Sequence, residues 1–186
     1  MASNCYIIKK DNQVLIVDPG DWPDKIIASI NKDEKVLAVL LTHGHFDHIQ
    51  ALDEVVAHFN CDVYASLDEK PLLNNPSLSF YDKKIKAEIT YVEDDFKVED
   101  FNITMHKTPG HTEGSVMFQL DNHLFTGDTL FNYSIGRVDF PTGDGFKMQK
   151  SLNYIKTLDD DLLIYPGHGE TSKLKYEKIL NPYLKR

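Results

Sequence analysis

Thr42-His43-Gly44-His45-Phe46-Asp47-His48 is the stretch on which the reading of this chain turns. Three imidazoles and one carboxylate fall within the six residues from His43 to His48. An apolar run, Leu37 to Leu41, precedes them and reads as a buried strand. Gly44 is expected to let the chain turn sharply at the end of that strand. His and Asp together suit a borderline divalent metal such as zinc. His43 and His45, two apart on extended backbone, can share one face, while Asp47 and His48 lie past the bend and can face a second ion. The bland alternative is a loop of solvated histidines.

Matching side chains stand downstream. Thr108-Pro109-Gly110-His111-Thr112 sets a His in a Pro-Gly turn after the strand pattern Phe101–His106. Phe125-Thr126-Gly127-Asp128-Thr129 sets an Asp just beyond a hairpin strand, and Tyr165-Pro166-Gly167-His168-Gly169 sets a His after the apolar run Leu162–Tyr165. Three times the pattern is strand, then Gly, then a metal-type ligand. Strand ends held by a sheet system are what a rigid metal centre needs.

These motifs resemble the metallo-β-lactamase superfamily, and within it the glyoxalase II (hydroxyacylglutathione hydrolase) branch in a short single-domain form. The likeness runs from Asn4 to Leu184 and is supported by Val17-Asp18-Pro19-Gly20, by Ser134-Ile135-Gly136-Arg137-Val138-Asp139, and by Asn181-Pro182-Tyr183-Leu184. The resemblance implies one domain over residues 1–186, of α/β (α+β) class: an αββα sandwich of two facing mixed sheets with helices outside. Strand and helix periodicity alone gives only α/β or α+β.

Carried over residue by residue, the resemblance implies that His43, His45 and His111 hold one divalent ion. Asp47, His48 and His168 would hold a second, and Asp128 would bridge the two. Zinc is the expected metal, with iron or manganese as substitutes. A bound water would then have a pKa near ~7 and attack an acyl carbonyl. A thiolate leaves readily and is a soft ligand, which favours a thioester such as S-lactoylglutathione or a related acyl-thiol. Asp18 is expected either to steady a ligand histidine or simply to serve the Asp-Pro-Gly turn. Arg137 is read as a partner of Asp139 in preference to a clamp on a substrate carboxylate, and Tyr133 as a residue that touches substrate or packs. Glu113 and Val138 depart from the family's usual Pro and Thr, which bears on substrate choice. The full-length glyoxalase II form carries a further helical domain that helps hold glutathione. Eighteen residues follow His168 here, so small or different thiol carriers are expected to compete with glutathione. The alternative on the same fold is an iron-dependent persulfide dioxygenase using His43, His111 and Asp128. A lactonase, β-lactamase or other ester hydrolase, and an idle partner protein, are the remaining readings.

Composition sets bounds. The chain has 186 residues, 41% hydrophobic and 26% charged, which fits one domain with a real core. A net charge of −9 argues against a phosphate-backbone partner, and hence against nucleic-acid processing. Cys5 and Cys61 form no CxxC and read as buried thiols. No secretory pattern and no apolar run of about 20 residues is present, so a cytoplasmic hydrolase with no membrane partner is expected.

Along the chain, Cys5–Lys9 and Val14–Val17 read as a hairpin. Asp21 reads as the cap of a helix with Asp24 at its third position. Ile49–Phe59 reads as a helix with Leu52, Val55, Val56 and Phe59 inward, and His58 on its surface. From Leu67 to Lys84 the pattern weakens, consistent with a flap or a surface connection. His106 is placed on the polar side of its strand, and His123 in solvent. Thr129 to Gly145 reads as a long functional loop. Gly145–Leu158 reads as a helix anchored by Phe146, Leu152 and Ile155, and Thr171 as the cap of a last helix running to Leu180.

Overall fold

The computed structural model describes residues 3–185; the first two residues of the expected domain and its last, Arg186, lie outside them. The chain divides into two compact units, Met1–Glu93 and Asp94–Arg186. Each is a mixed sheet with its own helices and core.

In the first unit, β1 (Tyr6–Lys10) and β2 (Gln13–Val17) form an antiparallel hairpin. The hairpin closes on Asp11 and Asn12, both at positive φ, 47° and 62°, the two-residue turn whose twist matches its strands. β3 (Lys35–Leu41), β4 (Asp62–Ser66) and β5 (Thr90–Val92) add in parallel, in the order β1-β2-β3-β4-β5. A central parallel strand reads as unbroken hydrophobicity, and β3 is buried from Val36 to Leu41. Val14, Ile16, Val39, Leu41, Leu52 and Val55 share one apolar cluster.

The helices of this unit depart from the sequence reading in three places. Helix α1 (Pro23–Ala28) starts later than expected, with left-handed Trp22 at its cap and no capping side chain. The Asp21 carboxylate instead accepts from the Trp22 amide at 2.7 Å. The helix read over Ile49–Phe59 is two, α2 (Phe46–Ile49) and α3 (Leu52–Phe59). The break falls at Ala51, whose N–H goes to Pro19 O at 3.0 Å. The weakly patterned Leu67–Lys84 holds a 3-10 turn (Leu67–Glu69) and two short helices, α4 (Lys70–Leu73) and α5 (Pro76–Ser79).

In the second unit, β6 (Phe96–Val98), β7 (Phe101–Lys107), β8 (Val116–Leu120), β9 (His123–Gly127), β10 (Leu163–Pro166) and β11 (Ser172–Lys173) form a six-stranded sheet, with only β9 and β10 parallel. Helices α6 (Gly145–Ile155) and α7 (Leu174–Leu180) complete it. Asp144 caps α6, its carboxylate accepting from the Phe146 and Lys147 amides. Met148, Leu152 and Ile155 anchor α6; Phe146 does not, being 71% exposed. At the second position of its helix it points away from the face the other three share, and the Lys150 ammonium covers its ring at 4.6 Å. His106 is buried despite its polar register, because Tyr154 Oη and Gln119 Oε1 engage its two ring nitrogens at 2.7 and 2.9 Å. Residues 172–173, expected to open the last helix, pair with β10 instead. Both thiols are free, and burial pushes them up, Cys5 to about 12 and Cys61 to about 11. Among the described residues no helix is long and apolar enough to cross a membrane.

Candidate metal centre

The first unit gathers His43, His45, Asp47 and His48 where β3 passes into α2. His43, His45 and His48 are all buried. The ring centroids of His43 and His48 are 4.1 Å apart, and those of His43 and His45 are 5.0 Å apart. Asp47 Oδ2 lies 3.9 Å from His48 Nε2.

Asp18 organises these rings. It is buried at the end of β2 with φ of 50°, which turns its carboxylate back toward β3. Oδ1 accepts from the Thr42 amide at 2.8 Å, and Oδ2 accepts from Thr42 Oγ1 at 2.6 Å and meets His48 Nδ1 at 2.9 Å. A carboxylate only accepts, so the His48 proton sits on Nδ1. Thr42 has one hydroxyl hydrogen and gives it to Asp18. His43 Nδ1, 3.1 Å from that hydroxyl, must therefore donate to it. One carboxylate thus fixes two imidazoles with Nε2 as the lone-pair nitrogen, the tautomer a metal ligand needs. Asp18, His43 and His48 each place a donor atom within 4.8 Å of the others.

A second carboxylate does for the backbone what Asp18 does for the rings. Buried Glu69 accepts from the Gly44 amide at 2.9 Å. Gly44 is not in the left-handed region, so the sharp turn expected there is not what demands glycine. Close packing does: a Cβ at Gly44 would stand 2.7 Å from Leu73 Cδ2 and 2.8 Å from Leu72 Cδ2. Glu69 was invisible to motif reading, since it lies 25 residues downstream in a stretch without periodicity.

The second unit contributes His111, Asp128 and His168, one beyond each of β7, β9 and β10. Gly110 and Gly127, just before two of them, have φ of 150° and 47°. β9 and β10 end level, Pro166 opposite Gly127, and Gly167 N donates to Gly127 O at 2.8 Å. This brings Asp128 and His168 together: His168 Nε2 is 3.5 Å from Asp128 Oδ2, and His111 Nε2 is also 3.5 Å from the same oxygen. That is long for a hydrogen bond. Donors about 2.1 Å from a common tetrahedral ion stand about 3.4 Å apart. His111 Nδ1 lies 2.7 Å from the Arg137 carbonyl, which can only accept, so its Nε2 is again the lone-pair atom.

The family model described as the metallo-beta-lactamase superfamily matches residues 1–168. The chain belongs to that superfamily. Metallo-β-lactamase relatives share nearly its full length. The hydroxyacylglutathione hydrolase GloC of Haemophilus influenzae is 32% identical, covering 97% of this chain and 92% of its own. Among solved structures, the BLEG-1 B3 metallo-β-lactamase superposes with a TM-score of 0.91 at 32% identity, over 99% of this chain and 95% of that one. TTHA1623 in a di-iron-bound form gives 0.87 at 30% identity, over 97% and 94%. Two mixed sheets with their helices are thus the superfamily's α/β sandwich fold.

The remaining candidates lie in the loop before α6. Arg137 donates to both oxygens of Asp139, from Nε and a terminal nitrogen, each at 2.7 Å, and its guanidinium stacks on Phe140 at 3.8 Å. This exposed pair holds the Asp139 carboxyl below its usual range and the guanidinium above its own. Tyr133 is half exposed with φ of 57°, and its amide donates to Glu177 Oε2 at 2.9 Å. Glu113 meets Lys147 at 2.6 Å.

The donor chemistry fits divalent metal. Imidazoles with their lone pairs fixed and carboxylates beside them suit zinc or iron. A purely structural zinc site would be closed by Cys and His, whereas these ligands are His and Asp only.

Proposed function

We propose that this protein is a dinuclear metal-dependent hydrolase of thioesters, acting in the cytoplasm on a small acyl-thiol such as S-lactoylglutathione, with both units serving one functional domain. Following the resemblance, His43, His45 and His111 would hold one ion, Asp47, His48 and His168 the other, and Asp128 would serve both. The observation that carries the reading is the convergence of His111 and His168 on a single oxygen of Asp128 at equal distance.

Divalent ions in such a site supply a water with a pKa near ~7 and a polarised carbonyl. The chain's own residues prepare for that. Asp18, through Thr42, keeps the proton of His43 on Nδ1, and holds that of His48 directly. The Arg137 carbonyl does the same for His111. Glu69 pins the backbone between His43 and His45. The fixed rings would hold the ions in place; with the water's oxygen bonded to the acyl carbon, the C–S bond would break, giving the carboxylic acid and the thiol. No Ser or Cys nucleophile is required, and the raised thiols of Cys5 and Cys61 suit neither for that part.

The likeness to a di-iron-bound protein keeps the iron alternative specific. The test is elemental analysis of protein purified without added metal, with kinetics on S-lactoylglutathione, a lactone, a β-lactam and glutathione persulfide. Two ions per chain and turnover of the thioester are expected. One iron per chain with oxygen consumed on the persulfide would move the assignment to a dioxygenase. Turnover of the lactone or β-lactam alone would remove the thioesterase.

A further inference from the structure

The first unit holds a cavity of about 330 Å³ between α4, α5 and the segment 83–91. Its lining divides by chemistry. Leu73, Ile85, Ala87 and Ile89 are its apolar lining residues, and Lys70, Lys83 and Lys84 are three basic ones. All three lysines are exposed, and among the described residues no carboxylate forms an ion pair with them. Neither Asp82 nor Glu88, the acids next in sequence, is among the lining residues. Lys70 stands over the Tyr91 ring at 5.2 Å, which keeps its head at the cavity.

The walls are built. Residues 85–89 belong to no strand, yet their backbone is clamped: the Asp53 carboxylate on α3 takes the amides of Lys86 and Ala87, both at 2.9 Å. On the other side, Asn75 caps α5 through the Ser77 amide at 3.1 Å. Pockets of this size with an apolar lining and a few charged groups are the usual form of a small-molecule site.

We propose that this cavity binds an amphipathic organic anion, its carboxylate or phosphate head against Lys70, Lys83 and Lys84 and its apolar body against Leu73, Ile85, Ala87 and Ile89. The site stands apart from the hydrolytic reading and does not depend on it. It does share a wall with the ligand loop: Leu73 lines the cavity and also packs on Gly44. An occupant in contact with Leu73 would be one side chain away from Gly44.

The experiment titrates octanoate, octyl phosphate, octanol and inorganic phosphate into metal-loaded protein, followed by amide chemical shifts. Octanoate or octyl phosphate should saturate with Kd of roughly 0.1–1 mM, as about ten heavy atoms of modest efficiency give. The shifts should centre on residues 70–91 and include Gly44. The better of the two heads identifies the anion as carboxylate or phosphate. The double variant Lys83→Glu/Lys84→Glu, on exposed positions, should weaken binding at least about fivefold. Ala87→Phe, which fills the cavity, should abolish it. Octanol binding as tightly as octanoate, or inorganic phosphate as tightly as octyl phosphate, overturns the amphipathic anion. Shifts indifferent to the charge reversal, or none saturating in this range, overturn the site.

Discussion

The two candidate ligand sets are built on different principles. In the first unit four metal-type side chains follow one another within six residues, and two carboxylates, Asp18 and Glu69, hold the rings and the backbone. In the second, three ligands from His111 to His168 depend on where strands end, held by sheet register and by the Arg137 carbonyl. A contiguous set is specified by side-chain chemistry and is open to repair by a conservative substitution. A dispersed set is specified by topology, and its common member has no local substitute. In the proposed assignment Asp128 is that member. Replacing it with Ala should lower activity on the order of 10³-fold or more, since a shared carboxylate stabilises both charges at once. Metal content should fall toward zero in both positions. A variant that keeps two ions per chain would show that the dispersed set does not converge on this residue.

Asp47→Ala sharpens the same contrast from the other side. Asp47 is the one carboxylate within the contiguous motif and serves one ion in the proposed assignment. Activity should drop about a hundredfold, with one metal position emptied and thermal unfolding unchanged within a few degrees. Loss of both ions would mean that the contiguous set, too, acts as a unit. Asp18→Asn should come next. Asn keeps an acceptor for the Thr42 amide but can turn an NH₂ toward His48 Nδ1, pushing the ring proton onto Nε2. Metal affinity should fall about 10- to 100-fold, read by competition with a chelator, and Asp18→Glu should not restore it, since the longer side chain misses both partners.

Two glycines test packing in place of chemistry. A methyl at Gly110 would stand 2.6 Å from the backbone nitrogen of Met148 in α6, at φ of 150°. The three atoms nearest a methyl at Gly44 are all leucine side-chain atoms, Leu73 Cδ2 and Cγ and Leu72 Cδ2. Gly110→Ala should therefore cost about 2–3 kcal/mol in urea unfolding, and Gly44→Ala about 1 kcal/mol. Equal costs would show that α6 yields as easily as two leucine tips.

The ligand motif was legible because each of its parts is local: an apolar strand, a glycine, a His or Asp. Level ends of β9 and β10 follow once the strands pair. What was not legible came from distant groups that capture one atom. Pro19 O takes the Ala51 amide and splits a helix that its periodicity presents as continuous. Glu69 takes the Gly44 amide from a segment with no pattern at all. His106 is buried because Tyr154 and Gln119 satisfy it, although alternation assigns it to the polar face. Phe146 reads as an anchor by composition, while its position in the first turn of α6 leaves it in solvent. Sequence patterns record periodic burial well and single hydrogen-bond captures not at all.

The smallest effect expected is at Arg137, and it separates scaffold from recognition. A guanidinium in a glycine-bearing loop is a natural clamp for a substrate carboxylate. Here both prongs already engage Asp139 at 2.7 Å and the flat face lies on Phe140. Binding a carboxylate ligand would require breaking a two-pronged pair to make another of the same kind, with little net gain. The link to the ligand set runs instead through the Arg137 carbonyl, which accepts from His111 and survives any change of side chain. Arg137→Ala should therefore leave KM for S-lactoylglutathione within about twofold, and kcat nearly so, because an exposed ion pair contributes little. Asp139→Ala provides the complement: it frees the guanidinium, and if the loop lies within reach of substrate, KM should fall in that variant and rise in Arg137→Ala/Asp139→Ala. A rise of KM above about fivefold in Arg137→Ala alone would show that the pair opens during turnover and that the loop reads the substrate.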